Sequence, residues 1–420
     1  MFIEKAKVTY ENEPLKSAFG FKGNALTYLQ QTVVILESGE FKGVGLGVQS
    51  VLWSDVAVFK KYGEDEGNRL MYDLTRFAIS KIEGREFSSP EAIIDEIFDD
   101  CYKYAKEITK LDVKKTFVLN ALVPIDFAAW ILYAKINGKE CFDDIYPGVC
   151  KNSKLANIPL ITYSTSLEEV VSMARAGTCI FKIKIGADPD KDGDPEKMIA
   201  WDKARALSIF NALKDITTEY TDSRRIVYYF DANGRYDTKE RLGEFVDFLS
   251  ANGILEHTVL FEEPFPEDKK IFIGDFPICF AADESAHSIE DVEERIALGY
   301  KAITLKPIAK TLSVTMKMAK YAYSKGVQCF CADLTVNPVM LEWNKNFAAR
   351  TAPLSGMKIG VVESNGSQNY VNWEMMKGYL PISTDNGKGI IYELGDDFYS
   401  TSGGVFLNSE HYAALIDKKD

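Results

Sequence analysis

Hydrophobic and polar positions divide the chain into three stretches. Over the first 60 residues they alternate as in strands: residues 5–10 (KAKVTY) and 29–38 (LQQTVVILES) are β-like, and Gly39, Gly43, Gly45 and Gly47 read as turn punctuation. Residues 65–138 carry apolar positions at helical spacing, as in 71–82, and Ser88-Ser89-Pro90-Glu91 reads as a helix start with Pro90 in the first turn. From about residue 158 short apolar runs alternate with longer amphipathic stretches. The runs are 160–163, 179–185, 226–230, 258–261, 278–281, 302–305, 327–331 and 358–362. Repeated strand–helix alternation predicts parallel strands joined by crossover helices, an α/β chain closing as a (β/α)8 barrel. An open doubly wound sheet is the alternative, but no strand is followed by a Gly-x-Gly-x-x-Gly turn. The expected division is an α+β capping domain over residues 1–150, the barrel over 151–380, and a tail over 381–420 that returns to the capping domain.

Charge narrows the partners. The 420 residues hold 62 acidic and 49 basic side chains, a net charge of −13, which disfavours nucleic acid and anionic membranes. The most apolar stretch, 117–134, is interrupted by Asn120, Pro124 and Asp126, so a buried helix fits it better than a membrane span. The N-terminus (MFIEKAKVTYENEPLK) shows no signal-peptide pattern. Seven cysteines at 101, 141, 150, 179, 279, 329 and 331 are an odd set with no zinc-finger spacing. They read as buried free thiols in a reducing cytoplasm.

In a parallel barrel chemistry gathers at the C-terminal strand ends. In Phe181-Lys182-Ile183-Lys184-Ile185 the alternation sends both lysines to one face and the apolar residues to the other. With the apolar face on the helices, the lysines point into the barrel, where mutual repulsion and burial should lower the pKa of one of them toward that of a general base. An outward, solvated pair is the alternative. The next three runs end in carboxylates: Asp231-Ala232-Asn233, Glu262-Glu263-Pro264 and Asp283-Glu284-Ser285. A single carboxylate there commonly caps a helix or meets solvent. Three in succession at one mouth would repel unless a hard divalent cation held them, and Mg²⁺ suits such a set, with Mn²⁺ as its substitute. The sixth run ends in Lys306, across the barrel from the second strand. A lysine on each side of a carbon acid can move a proton from one face to the other.

This order of strand-end residues resembles the enolase superfamily, and within it the mandelate racemase/muconate-lactonizing-enzyme family, on the branch of muconate cycloisomerases, dipeptide epimerases and o-succinylbenzoate synthases. The residues carrying the resemblance are Lys182-x-Lys184, Asp231-x-Asn233, Glu262-Glu263-Pro264, Asp283-Glu284-Ser285 and Lys306. Ile125-Asp126-Phe127-Ala128-Ala129-Trp130 also resembles the Asp-x-Ala-x-Trp helix that precedes the barrel in that family. The resemblance implies Asp231, Glu262 and Asp283 as Mg²⁺ ligands, with Glu263 behind them and Asn233 supporting the site. It implies Lys184 and Lys306 as acid/base groups on opposite faces of the substrate, with Lys182 tuning Lys184 and touching the substrate carboxylate. It also implies a homo-oligomer acting on a small-molecule carboxylate.

Two features depart from the branch. Lys306 is followed by Pro307-Ile308-Ala309-Lys310-Thr311 rather than a glycine pair, and the eighth run ends Glu363-Ser364-Asn365 without the aspartate pair of dipeptide epimerases. None of the three histidines ends the sixth or seventh run, which disfavours the mandelate-racemase branch and a histidine-rich hydrolase. The leading reading is therefore abstraction of a proton α to a carboxylate in a racemase, epimerase or cycloisomerase. Dehydration of a hydroxy acid or acid sugar, an o-succinylbenzoate-synthase-like lyase and a non-catalytic binding barrel stay open. Asp333, Asn337, Glu363 and Asn365 are candidates for substrate contact or for helix capping. Glu284 is placed beside the metal ligands, Lys310, one helical turn beyond Lys306, as a surface or helix residue, and the loop Phe19-Gly20-Phe21-Lys22-Gly23-Asn24 as a lid or a plain hairpin loop.

Overall fold

A computed structural model describes residues 1–21, 23–383 and 389–417. Eight parallel strands form the barrel. The second to eighth run Ile180–Lys184, Val227–Asp231, Thr258–Glu262, Phe280–Ala282, Ala302–Leu305, Gln328–Cys331 and Gly360–Glu363, each hydrogen-bonded to the next in order. The first strand lies differently from the sequence expectation. It begins at Lys154 and is split by Pro159, which has no N–H to give to a ladder. Its lower half, Lys154–Ile158, pairs with the eighth strand and its upper half, Leu160–Ile161, with the second. The ring closes through this one broken strand.

Strand alternation sorts the side chains as the period of two requires. Phe181, Ile183 and Ile185 pack outward in the main core against the helices. Inside the barrel, small Ala156, Ala281 and Ala302 interleave with Tyr229 and Phe330, whose rings meet edge to face with centroids 5.3 Å apart. This packed layer is the floor beneath the polar mouth.

The capping domain contributes an antiparallel sheet of Lys5–Phe21, Asn24–Ser38 and Phe41–Gln49, longer than the alternating segments alone indicated, and the helices Val56–Ile82, Pro90–Thr109 and Lys115–Ile136. Pro90 opens its helix behind Ser89, whose hydroxyl accepts from Ala92 N–H at 3.3 Å. Gly39 does sit in a turn, but Gly43, Gly45 and Gly47 lie within a strand. A Cβ on Gly45 would stand 2.2 Å from the backbone of Pro124 and Ala128, so these glycines let the helix Lys115–Ile136 press onto the sheet. That helix is long and apolar enough to cross a membrane, yet 94% of its most apolar window is buried inside the protein.

The tail divides between the two units. Ile391–Glu393 adds an antiparallel strand to the barrel at Lys154–Ile158, while Asn408 bonds Val44 N–H (3.1 Å) and the Lys42 carbonyl (3.0 Å) in the cap. The helix Glu410–Asp417 packs on the cap sheet.

Cap and barrel are bonded at the helix that follows the sixth strand. Asp126, fully buried, accepts from Leu312 N–H (2.7 Å) and Ser313 N–H (3.1 Å) and from the Ser313 hydroxyl, which itself accepts from the Trp130 indole at 3.0 Å. Burial outweighs these bonds and pushes the Asp126 carboxyl up to about 7. The unfolded chain loses that proton at about pH 4, so between about pH 4 and about pH 7 the folded state holds more protons and stability falls as pH rises. Asp126→Asn is expected to flatten this fall in urea titrations across that window. A slope identical to that of the unsubstituted chain would show that Asp126 does not titrate there.

Candidate active site

The barrel delivers the strand-end residues to one buried cluster. Lys182 Nζ lies 3.0 Å from Asp231 Oδ2, 2.9 Å from Glu262 Oε2 and 3.2 Å from Glu363 Oε2. Lys184 Nζ is 2.5 Å from Asp231 Oδ2 and also donates to Asn233 Oδ1. Asp231 Oδ1 accepts from Asn233 N–H at 2.9 Å, across a turn in which Asn233 takes φ +45°, a conformation that asparagine tolerates better than most residues. Tyr229, two residues before Asp231 on the same inward face, donates to Glu262. On the far side Lys306 pairs with Asp283 Oδ2 while its Nζ lies 4.8 Å from the Trp53 ring centroid.

Lys310 lies on a helix, one of its two expected places, but not at the surface. It is fully buried, and its three protons go to Asp283 O (2.6 Å), Asp283 Oδ1 (3.0 Å) and Ala286 O (2.9 Å). The reason is spacing: four residues after Lys306, the side chain returns to the same side of the short helix Pro307–Lys310.

Glu263 accepts from Asp283 N–H (2.8 Å) and the Ser285 hydroxyl (3.0 Å), and Glu284 Oε1 accepts from Asn233 Nδ2 at 3.0 Å. Asp333 turns back on its own loop, accepting from Leu334 N–H (2.8 Å) and Val336 N–H (3.2 Å), and binds Asn365 N–H at 2.8 Å. Asn365 Oδ1 accepts from the Thr335 hydroxyl at 2.6 Å. Asn337 caps the helix Pro338–Ala349.

These groups surround a cavity of about 60 Å³. Lys182, Lys184, Asp231, Asn233, Asp283, Lys306, Asp333, Glu363 and Asn365 line it; Glu262, Glu263, Glu284, Lys310 and Asn337 stand outside its wall. The roof comes from the cap: Phe19, Gly20, Leu26, Leu29, Leu52 and Trp53. Lys22, at the tip of the candidate lid, lies outside the described residues. Sequence reasoning passed over Trp53 and Tyr229. For Tyr229 the signal was present in its two-residue spacing from Asp231, whereas nothing in the local pattern marks Trp53.

Electrostatics here are set by imbalance. Seven carboxyl groups (Asp231, Glu262, Glu263, Asp283, Glu284, Asp333 and Glu363) face four amino groups (Lys182, Lys184, Lys306 and Lys310), and all seven carboxyl residues are buried. Burial would lower the Lys182 pKa, but Asp231, Glu262 and Glu363 outweigh it and hold the ammonium well above its ordinary range. The lowering expected for one lysine of the pair does not fall on Lys182, because carboxylates outnumber lysines around it. Burial likewise opposes but does not overcome Asp283 at Lys306, whose pKa is raised. Lys182 and Lys184 hold Asp231 low against burial, and Lys306 and Lys310 do the same for Asp283. The surplus shows elsewhere. Burial lifts Glu262 to about 7, burial and Glu284 lift Glu263 to about 8, and burial and Glu363 lift Asp333 to about 7.

Among the described residues no three His, Cys, Asp or Glu side chains stand together as a ready metal cluster, because Asp231, Glu262 and Asp283 each engage a lysine. The site nevertheless suits a hard cation. Its donors are carboxylate oxygens, it has more negative than positive groups, and Glu262 Oε1, Glu263 Oε1 and Glu284 Oε2 are buried without a hydrogen-bond partner.

Replacing Lys310 by Met strips one cation from buried Asp283 and is expected to cost about 3 kcal/mol in urea denaturation. The same change at exposed Lys320 should stay within about 0.5 kcal/mol. Equal small effects at both positions would return Lys310 to the status of a surface lysine.

No protein-family model and no curated protein sequence matches the chain. Solved structures do. A dipeptide epimerase from Enterococcus faecalis V583, complexed with Mg and the dipeptide L-Leu-L-Tyr, aligns over 94% of this chain and 98% of its own, with a TM-score of 0.66 at 15% identity. N-succinyl Arg/Lys racemase from Bacillus cereus ATCC 14579 covers 88% of this chain and 89% of its own, with a TM-score of 0.63 at 16% identity. A member of the enolase superfamily from Listeria innocua Clip11262 spans 100% of this chain and 97% of its own, again at 0.63 and 16%. The chain thus has the barrel-and-cap fold seen in the enolase superfamily.

Proposed function

We propose that this protein is an enolase-superfamily racemase or epimerase that removes and returns the proton α to a substrate carboxylate. The observation that carries the reading is the placement of Lys184 and Lys306. They end the second and sixth of eight strands, so they face each other across one cavity, with Asp231 and Asp283 between them.

The α-proton of a carboxylate is too weakly acidic for a free amine to remove, because removal adds a second negative charge. Asp231, Glu262 and Asp283 would hold Mg²⁺, or Mn²⁺ in its place, and the bound ion supplies positive charge where that second negative charge develops. Lys182, buried beside Asp231, Glu262 and Glu363, binds the substrate carboxylate. One of Lys184 and Lys306 enters the cycle neutral and takes the proton from its face. The other enters charged and gives its proton to the opposite face, so the configuration inverts and the two lysines exchange protonation states. Trp53 and Phe19 close the roof and keep water from quenching the carbanion. Cycloisomerisation and dehydration use the same parts with only one lysine as base. All seven cysteines are free, which supports a reducing, cytoplasmic setting, and we extend the family expectation of a homo-oligomer to this chain.

Mg²⁺ is expected to stabilise the fold by about 2.7 kcal/mol at a hundredfold excess over its dissociation constant, read as a rise in melting temperature. Asp231→Asn and Asp283→Asn should lose that rise. A melting temperature indifferent to Mg²⁺ would leave a barrel that binds without this chemistry.

Lys184→Ala and Lys306→Ala should each lower racemisation by a factor of about 10³, while each keeps α-proton exchange for the enantiomer facing the remaining lysine. ¹H NMR in D₂O with Mg²⁺, over matched enantiomers, reads both effects. Loss of water from the substrate with one variant still active would replace racemisation by dehydration.

A further inference from the structure

The cavity's lining also restricts the substrate, on the premise that the enolate chemistry proposed above is right. Lys182, Lys184 and Lys306 are committed to that chemistry. Apart from these three, no Lys, Arg or His among the described residues lines the cavity. The roof is mostly apolar (Phe19, Leu26, Leu29, Leu52 and Trp53, with Ser50 as its polar side chain), and Thr335 and Asn365 add neutral polar groups to the wall. The remaining ionisable groups, beyond Asp231 and Asp283, are Asp333 and Glu363, both buried acids at the ends of the seventh and eighth strands.

A second anionic group on the substrate would therefore find no cationic partner among the described lining residues, only hydrocarbon, neutral polar groups such as Ser50 and Asn365, or another carboxylate. Burying an unpaired carboxylate is among the costliest events in a protein interior, and a neighbouring carboxylate adds repulsion. An apolar substituent, in contrast, gains by leaving water for the leucine-lined roof. We propose that the substrate is a monocarboxylate: its sole anionic group is the carboxylate beside the carbon that loses the proton, and its side chain is apolar. Acidic amino-acid side chains, N-succinyl groups and aldaric acids are thereby disfavoured.

The test is α-proton exchange by ¹H NMR in D₂O with Mg²⁺, on matched pairs within three scaffolds. N-acetyl-leucine and N-acetyl-phenylalanine are set against N-acetyl-glutamate and N-succinyl-leucine. Dipeptides of alanine with leucine are set against alanine with glutamate, and 2-hydroxy-4-methylpentanoate against malate. The expected result is exchange of the apolar member at least about tenfold faster than its dicarboxylate partner in any scaffold that reacts. Equal or faster exchange of the dicarboxylate would overturn the monocarboxylate assignment and leave the enolate chemistry standing. Absence of exchange in every scaffold would overturn the enolate reading, and this inference with it.

Discussion

Burying seven carboxyl groups beside four lysines at the mouth of a barrel is the constraint around which the molecule is arranged. A buried ion pair repays its desolvation only when geometry is tight and the remaining lone pairs are used. The fold meets that demand from below and above. Beneath the cluster, Tyr229 and Phe330 meet edge to face in the packed layer, and the Tyr229 hydroxyl is spent on Glu262. Above it, the cap closes the cavity with leucines and an indole, which keeps the local dielectric low and the charges strongly coupled.

Because more than a third of the residues lining the cavity belong to the cap, its seating matters alongside the barrel's closure. Its seating is polar and buried. Asp126 grips the start of the helix Leu312–Ser324, a few residues after Lys306 and Lys310. Gln31 accepts from Asn337 at 2.7 Å and donates to the Tyr370 hydroxyl at 3.1 Å, and that hydroxyl donates to the Thr335 carbonyl at 2.7 Å, on the loop that lines the cavity. Thr311, joining Lys310 to the gripped helix, holds φ +68°, a costly backbone for a β-branched residue. It is tolerated because Lys310 and Asp126 fix the chain on either side of it.

The barrel and its inward lysines were legible because both follow from a period of two. Polar residues on an apolar strand have one face to go to once the helices claim the other. Asp231, Glu262 and Asp283 were legible as strand ends for the same reason. What escaped reading depends on contacts between distant segments. Lys310 looked solvated because helical spacing to Lys306 carries no sign of burial until the fold supplies Asp283. Gly43, Gly45 and Gly47 looked like turns, since the helix that needs their missing side chains lies about 80 residues on. The broken first strand is visible only in its pairing with both neighbours. The raised pKa of Lys182 was hidden for a related reason: counting two adjacent lysines is local, whereas the carboxylates that surround Lys182 come from the third, fourth and eighth strands.

On the proposed chemistry, the two lysines after the sixth strand divide holding from reacting. An ammonium group has three protons to give. Lys310 gives all of its own to Asp283 and to backbone carbonyls, has no exposure, and so anchors the end of the fifth strand. Lys306 shares only Asp283 Oδ2, faces the cavity and has the Trp53 ring for its other neighbour. An aromatic face stabilises a cation without offering a proton acceptor, so it can keep Lys306 in place whether the lysine is paired to Asp283 or turned to a substrate. With Lys310 holding Asp283 independently, Lys306 can leave that carboxylate without stranding it as an unpaired buried charge. On the proposed chemistry, Lys310 is thus the immobile partner that lets a buried Lys306 move a proton.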